Sequence, residues 1–468
     1  MAVSPRLQAA IAAHRFGLGE ADLDIVGSDA EGWLAAQIGP ADAARGSGLL
    51  DTPAALRLVA AEREKRQLAK NPPPGTTAEQ VVAGHYRETL IADARSRLAT
   101  AGATQRPFAE RLQWFWANHF AVSVLKGSTR GLVGAYEREA IRPNIAGRFE
   151  TLLVAATTHP AMLRYLDNWL SAGPHSRIVA LEARRAARRD EGARVSGLNE
   201  NLAREVLELH TLGAEGARQG AYGQADVTAF AAVLTGWRTP RDPAVDAPLF
   251  DANWHEPGRK TVLGKNYPEG PEALRQVLHD LAAHPATARF VATKLARHFV
   301  ADEPPPALVD RLAAVYLKTD GQLGEVYREL IHHEAAWSPA PAKLKTPEEF
   351  VVSTARLLGA AERMFERPEA NAGGAAVLAL GQRLMAPPSP AGWPDRSEDW
   401  LGPDAVWKRV EWATRLADRA GRAVDARRLA AQSLGPRLGA ETARQIERAA
   451  DGSQALALLL LAPEFQRR

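Results

Sequence analysis

The chain has 468 residues, enough for two or three domains and a large apolar core. Its charges nearly cancel, 58 Lys and Arg against 55 Asp and Glu for a net of +3, so bulk electrostatics do not call for nucleic acid. There is no cysteine, which removes disulfides, thiolate zinc sites, iron–sulfur clusters, covalent c-type haem and cysteine nucleophiles together.

Ala, Leu, Arg and Glu dominate, apolar residues recur at three and four spacing, and Val/Ile/Thr alternation is nearly missing. The reading is a mostly α, large multi-helix fold with no substantial sheet. Met1 to Gly19 lacks a charged start followed by an apolar run, so no signal peptide is read there. The longest apolar stretch, Ala455 to Ala462, is far short of the roughly 20 residues that span a bilayer. Read literally, the protein is cytoplasmic; a cysteine-free chain is equally compatible with export.

Asn71 to Thr77 reads as an exposed loop. In Arg111 to Ser123, Leu112, Phe115, His119 and Phe120 form an apolar stripe. A histidine there suits a core position, while Trp114 and Trp116 beside Asn118 and His119 suit the wall of a pocket. Glu137, Arg138, Glu139 and Arg142 alternate in sign before Pro143, as solvated pairs or as a binding face. Two segments share the pattern His-Pro-Ala-x-x-Arg-aromatic-aliphatic, starting at His159 and His284. Proline favours the first helical position, so both histidines are placed at helix N-termini, by a shared start signal or by duplication. Asp167 and Asn168 fit helix caps or ligands beside Trp169. Arg184 to Arg194 reads as a solvated charged segment, against a patch for phosphate or an acidic partner.

Asn199 to Gly213 (NENLAREVLELHTLG) carries the strongest chemical signal. Asn199 suits an N-cap and Gly213 a stop. Asn201, Arg204, Glu205 and Glu208 share one helical face, with His210 on the apolar side. The face is either a solvated surface with an Arg204–Glu208 pair, or a buried row able to hold a metal or supply a base and an anion clamp. In Tyr222 to Trp237 a core stripe leaves Gln224, Asp226 and Trp237 as candidates. Gly236 to Pro271 is long and irregular, and its aromatic content points to function rather than disorder. Ala386 to Pro403 is a second Pro/Gly-rich loop.

Familiar motifs fail. Gly17-Leu18-Gly19 lacks the third glycine of a dinucleotide fingerprint, and Gly258 to Lys265 is one residue too long for a phosphate loop. His255-Glu256 and His333-Glu334 lack the second histidine of a zinc-protease helix, and no Gly-x-Ser-x-Gly occurs.

Several runs together carry a resemblance: HRFGLG at His14, RLQWFWANHFAVS at Arg111, YEREAIRPN at Tyr136, NENLAREVLELHTLG at Asn199 and QADVTAFAAVLTGW at Gln224. HPATARFVATKL at His284, KTPEEFVV at Lys345, GWPD at Gly392 and the terminal LLLAPEFQRR extend it. From His14 to its end the chain resembles the bacterial domain-of-unknown-function family 1800. The resemblance implies a mostly helical fold, no settled activity, and pairing with an exported phosphatase/sulfatase-like protein of family 1501. Export on such a partner, to the periplasm, is then the alternative to a cytoplasmic location. Asn199, Asn201, Arg204, Glu205, Glu208, His210, Asn118, His119, His159 and His284 match characteristic positions of that family, which favours the buried-site reading of the Asn199 helix.

The expected organisation is a helical half over 1–236, an irregular loop over 237–271 and a second helical half over 272–468, integrated into one domain. The expected function is an enzyme with a buried Glu/Arg/Asn/His site between helices. Its catalytic group is Glu205, Glu208, Arg204 and His119. Asn199, Asn201, Asn118, Trp114, Trp116, Arg138, Arg142, Asp167 and Trp237 would bind. A divalent or redox metal on His159, His210, His284, Glu205 and Glu208 would assist hydrolysis or oxidation. Two other classes stand beside it: a non-catalytic partner or chaperone of the exported protein, and, from the 11 Trp residues, a glycan-binding or glycan-cleaving helical protein.

Overall fold

A computed structural model describes residues 4–189, 197–240, 249–367 and 372–468. The fold is mostly α, and no helix among the described residues is long and apolar enough to cross a membrane. Sheet is confined, among those residues, to two antiparallel pairs, Trp237–Arg238 with Leu249–Phe250 and Lys260–Val262 with Lys265–Tyr267. Both lie in the stretch read as irregular. In the second, Leu263 (φ 50°) and Gly264 (φ 72°) both take the left-handed conformation that a two-residue hairpin turn requires. Residues 190–194 of the charged Arg184 to Arg194 segment fall outside the described residues; the Arg177–Arg189 helix holds its first part.

Proline opens the helices Pro107–His119, Pro285–Phe299, Pro347–Leu357 and Pro403–Ala420, where its missing N–H breaks no hydrogen bond. His159 and His284 cap their helices alike: each ring Nδ1 accepts from the backbone two residues on, Ala161 and Ala286, at 3.1 Å. His333 makes the same bond to Ala335 at 3.2 Å. The echo between the His-Pro segments is therefore an N-capping device, and a third histidine uses it without a proline.

Two hydrophobic cores form. The larger draws on helices from both sides of the Gly236 to Pro271 stretch, including Trp116, Phe149, Leu207, Phe230, Leu295 and Tyr327. The smaller is built by the chain from Phe350 onward, joined by Leu18, Leu98 and Trp114. The apolar stretch near the C-terminus is the Gly452–Leu461 helix, packed in that smaller core. Each core draws mainly on one part of the chain, the larger on residues before about 340 and the smaller on residues after it, with Met385 and Ala386 in the larger and Leu18, Leu98 and Trp114 in the smaller. The Pro107–His119 helix serves both cores, presenting Trp114 to one and Phe115 and Trp116 to the other.

Candidate functional site

The face of Asn201, Arg204, Glu205 and Glu208 forms as the helical spacing predicts, but it lies at the surface. Asn201 is exposed and the other three are half-buried. Arg204 pairs with Glu200 at 3.1 Å and donates to Gln224, not to Glu208. Burial and the neighbouring Glu208 raise the Glu205 pKa above the ordinary carboxylate value. The expected buried row is corrected: Leu202, Ala203, Val206 and Leu207 take the core side and hold the polar face outward. From Val206 the helix widens to a π-turn, with Thr211 Oγ1 donating to the carbonyl of Val206 (2.7 Å). Asn199 Oδ1 does accept from the Asn201 N–H (2.9 Å), and Gly213 ends the run at φ 78°.

The expected metal set does not assemble. Among the described residues no three His, Asp or Glu side chains come together to hold an ion. His159 binds Thr52 Oγ1 (2.9 Å) and faces Glu139 (3.6 Å), His284 caps its helix, and His210 packs in the core against Phe120. Several expected binding residues hold the fold together. Arg142 makes a two-pronged pair with Glu110 (2.7 and 2.8 Å), Arg138 bonds Asp93 (2.7 Å), and Asp167 bonds Lys126 (2.6 Å). Trp116 donates to the Tyr327 hydroxyl (2.6 Å) inside the core. Trp237 sits half-buried in the first strand pair.

Three of the expected residues, Trp114, Asn118 and His119, instead line one pocket of about 330 Å³ between the two cores. The Pro285–Phe299 helix adds Lys294, Arg297 and His298. The Pro347–Leu357 helix adds Glu348 and Glu349, and the loop 391–399 closes one side with Trp393 and Asp395. Junctions between cores are a common place for small-molecule sites.

Asn118 holds the loop. Its Nδ2 donates to the Trp393 carbonyl (2.9 Å), and its Oδ1 accepts from the Trp393 N–H (2.7 Å). Gly392 sits at φ 85°, and a Cβ there would lie 2.5 Å from the Asn118 carbonyl oxygen. Gly392→Ala is therefore expected to lose about 2 kcal/mol or more and to disturb the loop. Urea unfolding with Trp emission checks this; an unchanged midpoint would show that the loop tolerates the side chain.

Behind the loop lies a charged network. Asp395 accepts from His298 Nδ1 (3.0 Å), and the Arg111 guanidinium donates to His298 Nε2 (3.1 Å). Arg111 also meets Glu349 (3.0 Å), which takes a second guanidinium, Arg468, at 3.1 Å. Burial lowers the His298 pKa to about 4, against the opposing pull of Asp395, so the ring is neutral at pH 7. Asp395 titrates well below the carboxylate range: the nearby His298, then Lys343 and Arg468, outweigh its burial. Glu348 is held by Arg97 (2.5 Å). Among the described residues the carboxylates of the pocket wall thus have cationic partners, Lys343 for Asp395 at 3.8 Å, except Asp399 at the exposed rim.

Lys294 and Arg297 are the opposite case. Neither forms an ion pair among the described residues, and the Lys294 amine makes no hydrogen bond there. Burial brings the Lys294 ammonium down to about 8, with Asp395 opposing. Two other wall groups are unsatisfied. Trp114 is buried and its indole N–H has no partner among the described residues. His119 is buried, its Nε2 donates to the His210 carbonyl (3.0 Å), and its Nδ1, left with a bare lone pair, has no partner among the described residues. Buried polar atoms are rarely left so.

A family model described as a protein of unknown function (DUF1800) matches residues 11–467. The chain belongs to that family. No curated protein and no solved structure matches it. Sequence reasoning missed Lys294, Arg297, His298, Glu349 and Asp395, although three lie inside runs quoted above (HPATARFVATKL, KTPEEFVV and GWPD) and Arg297 and His298 just beyond the first. The available signal was Lys294, Arg297 and His298 at i, i+3 and i+4, a polar stripe beside the apolar face of Val291 and Leu295.

Proposed function

We propose that this protein is an enzyme acting on a small anionic molecule bound between its two cores. The observation that carries the reading is the Lys294 amine, which has neither an ion pair nor a hydrogen bond among the described residues, in a pocket also lined by His119, whose Nδ1 has no partner among them. In this reading Lys294 and Arg297 attract the anionic group, and burial makes that attraction stronger than at a surface. The Trp114 N–H fixes a substrate oxygen. His119, whose pKa lies well below the ordinary value because of burial and then Lys294, is neutral and accepts a proton through Nδ1. The network of Asp395, His298, Arg111 and Glu349 keeps the wall rigid behind them.

The test is titration of the protein with acetate, inorganic phosphate and pyruvate, read by Trp emission, since Trp114 and Trp393 line the site. At least one anion is expected to bind, with affinity reduced tenfold or more (about 1.4 kcal/mol) in Lys294→Met and unchanged in Glu208→Gln. Binding that ignores Lys294→Met, or no binding by any of the three, would sink the reading.

A further inference from the structure

The reading above leaves open what Lys294 does beyond attracting charge. An ammonium kept only to pair with an anion gains from being fully charged, yet this one is placed where burial weakens its hold on the proton. Its neighbours on the helix roughly offset each other: the Phe290 ring, 5.5 Å from the Lys294 nitrogen, weakly favours the charged form, and Arg297 repels it. Other faces of the pocket contribute the neutral rings of His119 and His298, while Asp395 opposes the shift but is engaged by His298. The second cation, Arg297, shares the anchoring of the anion, so the amine need not stay fully charged. The Trp114 N–H is a neutral donor, suited to a carbonyl oxygen rather than to full charge.

We propose that Lys294 is a Schiff-base-forming residue and that the pocket takes a small oxo acid, with its carboxylate on Arg297 and its carbonyl oxygen on the Trp114 N–H. This rests on the function proposed above and names its substrate class. In the reaction the amine lone pair forms a bond to the carbonyl carbon, and the carbon–oxygen π pair moves to the oxygen. The two protons of the amine end on that oxygen, in turn with His119 Nδ1 carrying one between them. The carbon–oxygen bond then breaks and water leaves, with the nitrogen lone pair forming the C=N bond. Carbonyl and amine become imine and water, with no oxidant or other reactant needed.

A pKa of about 8 in place of 10.5 leaves about 300-fold more free amine at pH 7 than an ordinary lysine has. The test uses the full chain with pyruvate or glyoxylate and sodium cyanoborohydride, which reduces an imine to a stable secondary amine. Intact mass and peptide mapping are expected to show one adduct, on Lys294, forming on the order of a hundredfold faster than on any other lysine. Its rate should rise with pH to a plateau above about 8. Lys294→Arg keeps the charge and is expected to bind the anion, melt as the parent does and give no adduct. Anion binding that depends on Lys294, without an adduct there, would overturn the Schiff base and leave the binding site standing. Neither binding nor adduct would overturn both, and adducts spread evenly over surface lysines would likewise refute the proposal.

Discussion

Glu349→Gln is expected to destabilise the fold by about 3–5 kcal/mol, the loss typical when one member of a buried ion network is removed. Glu349 is buried, and its carboxylate meets Arg111 at 3.0 Å and Arg468 at 3.1 Å. It also closes the Pro347–Leu357 helix start, accepting the Thr346 N–H (2.9 Å) while Thr346 Oγ1 accepts its own N–H (3.3 Å). An amide keeps the shape but leaves two guanidinium groups without charge compensation. The Glu349 pKa is drawn down to about 2, with Arg111, Arg468 and His298 together overcoming its burial. That depression favours folding above the unfolded value near 4.5, and the contribution is lost as pH falls toward 2. Glu208→Gln, on the half-exposed face that the sequence favoured, is expected to change stability by no more than about 0.5 kcal/mol. Urea unfolding of the two variants decides the matter. A mild Glu349→Gln would mean that the network is not what holds the pocket wall.

Mild acid is expected to unfold this protein. His14, His119, His159, His210 and His298 all have pKa values lowered chiefly by burial, to about 3 for His210 and about 4 for His298. Each is neutral in the fold and takes up a proton in the unfolded chain near pH 6.5. A lowered pKa means that the stabilisation is complete above that pH and drains away as the pH falls toward the folded value. Each proton bound only by the unfolded chain costs about 1.4 kcal/mol per pH unit, so five together reach about 7 kcal/mol per unit. Carboxylates whose pKa burial raises, Glu20, Asp93 and Glu348, act the other way and offset part of this slope. Whole domains are stable by only about 5–15 kcal/mol. Melting temperature should therefore drop steeply between pH 6.5 and 5, and His210→Gln should flatten the drop. A melting temperature constant from pH 7 to 5 would show that these rings do not stay neutral in the fold.

How much of this could be read without the structure differs between fold and site. Helix starts are local chemistry, so the two His-Pro starts at 159 and 284 were legible, while the starts at Pro107, Pro347 and Pro403 were not singled out. So was the shared face of Asn201, Arg204, Glu205 and Glu208, because 3.6 residues per turn fixes it. The hairpin at Lys260–Tyr267 was not, since three-residue strands leave almost no periodic trace.

The sequence by itself determined the helical class, the absence of thiol chemistry and the faces that each helix offers. Only the tertiary structure decided which faces meet. Glu208 turns to solvent because Val206 and Leu207 occupy the core, and periodicity cannot say whether a polar stripe ends in water or against another helix. Lys294 and Asp395 are a hundred residues apart along the chain, and His119 is far from both. Their sharing a pocket follows from the packing of two cores against the Pro107–His119 helix, a long-range outcome that no local pattern encodes.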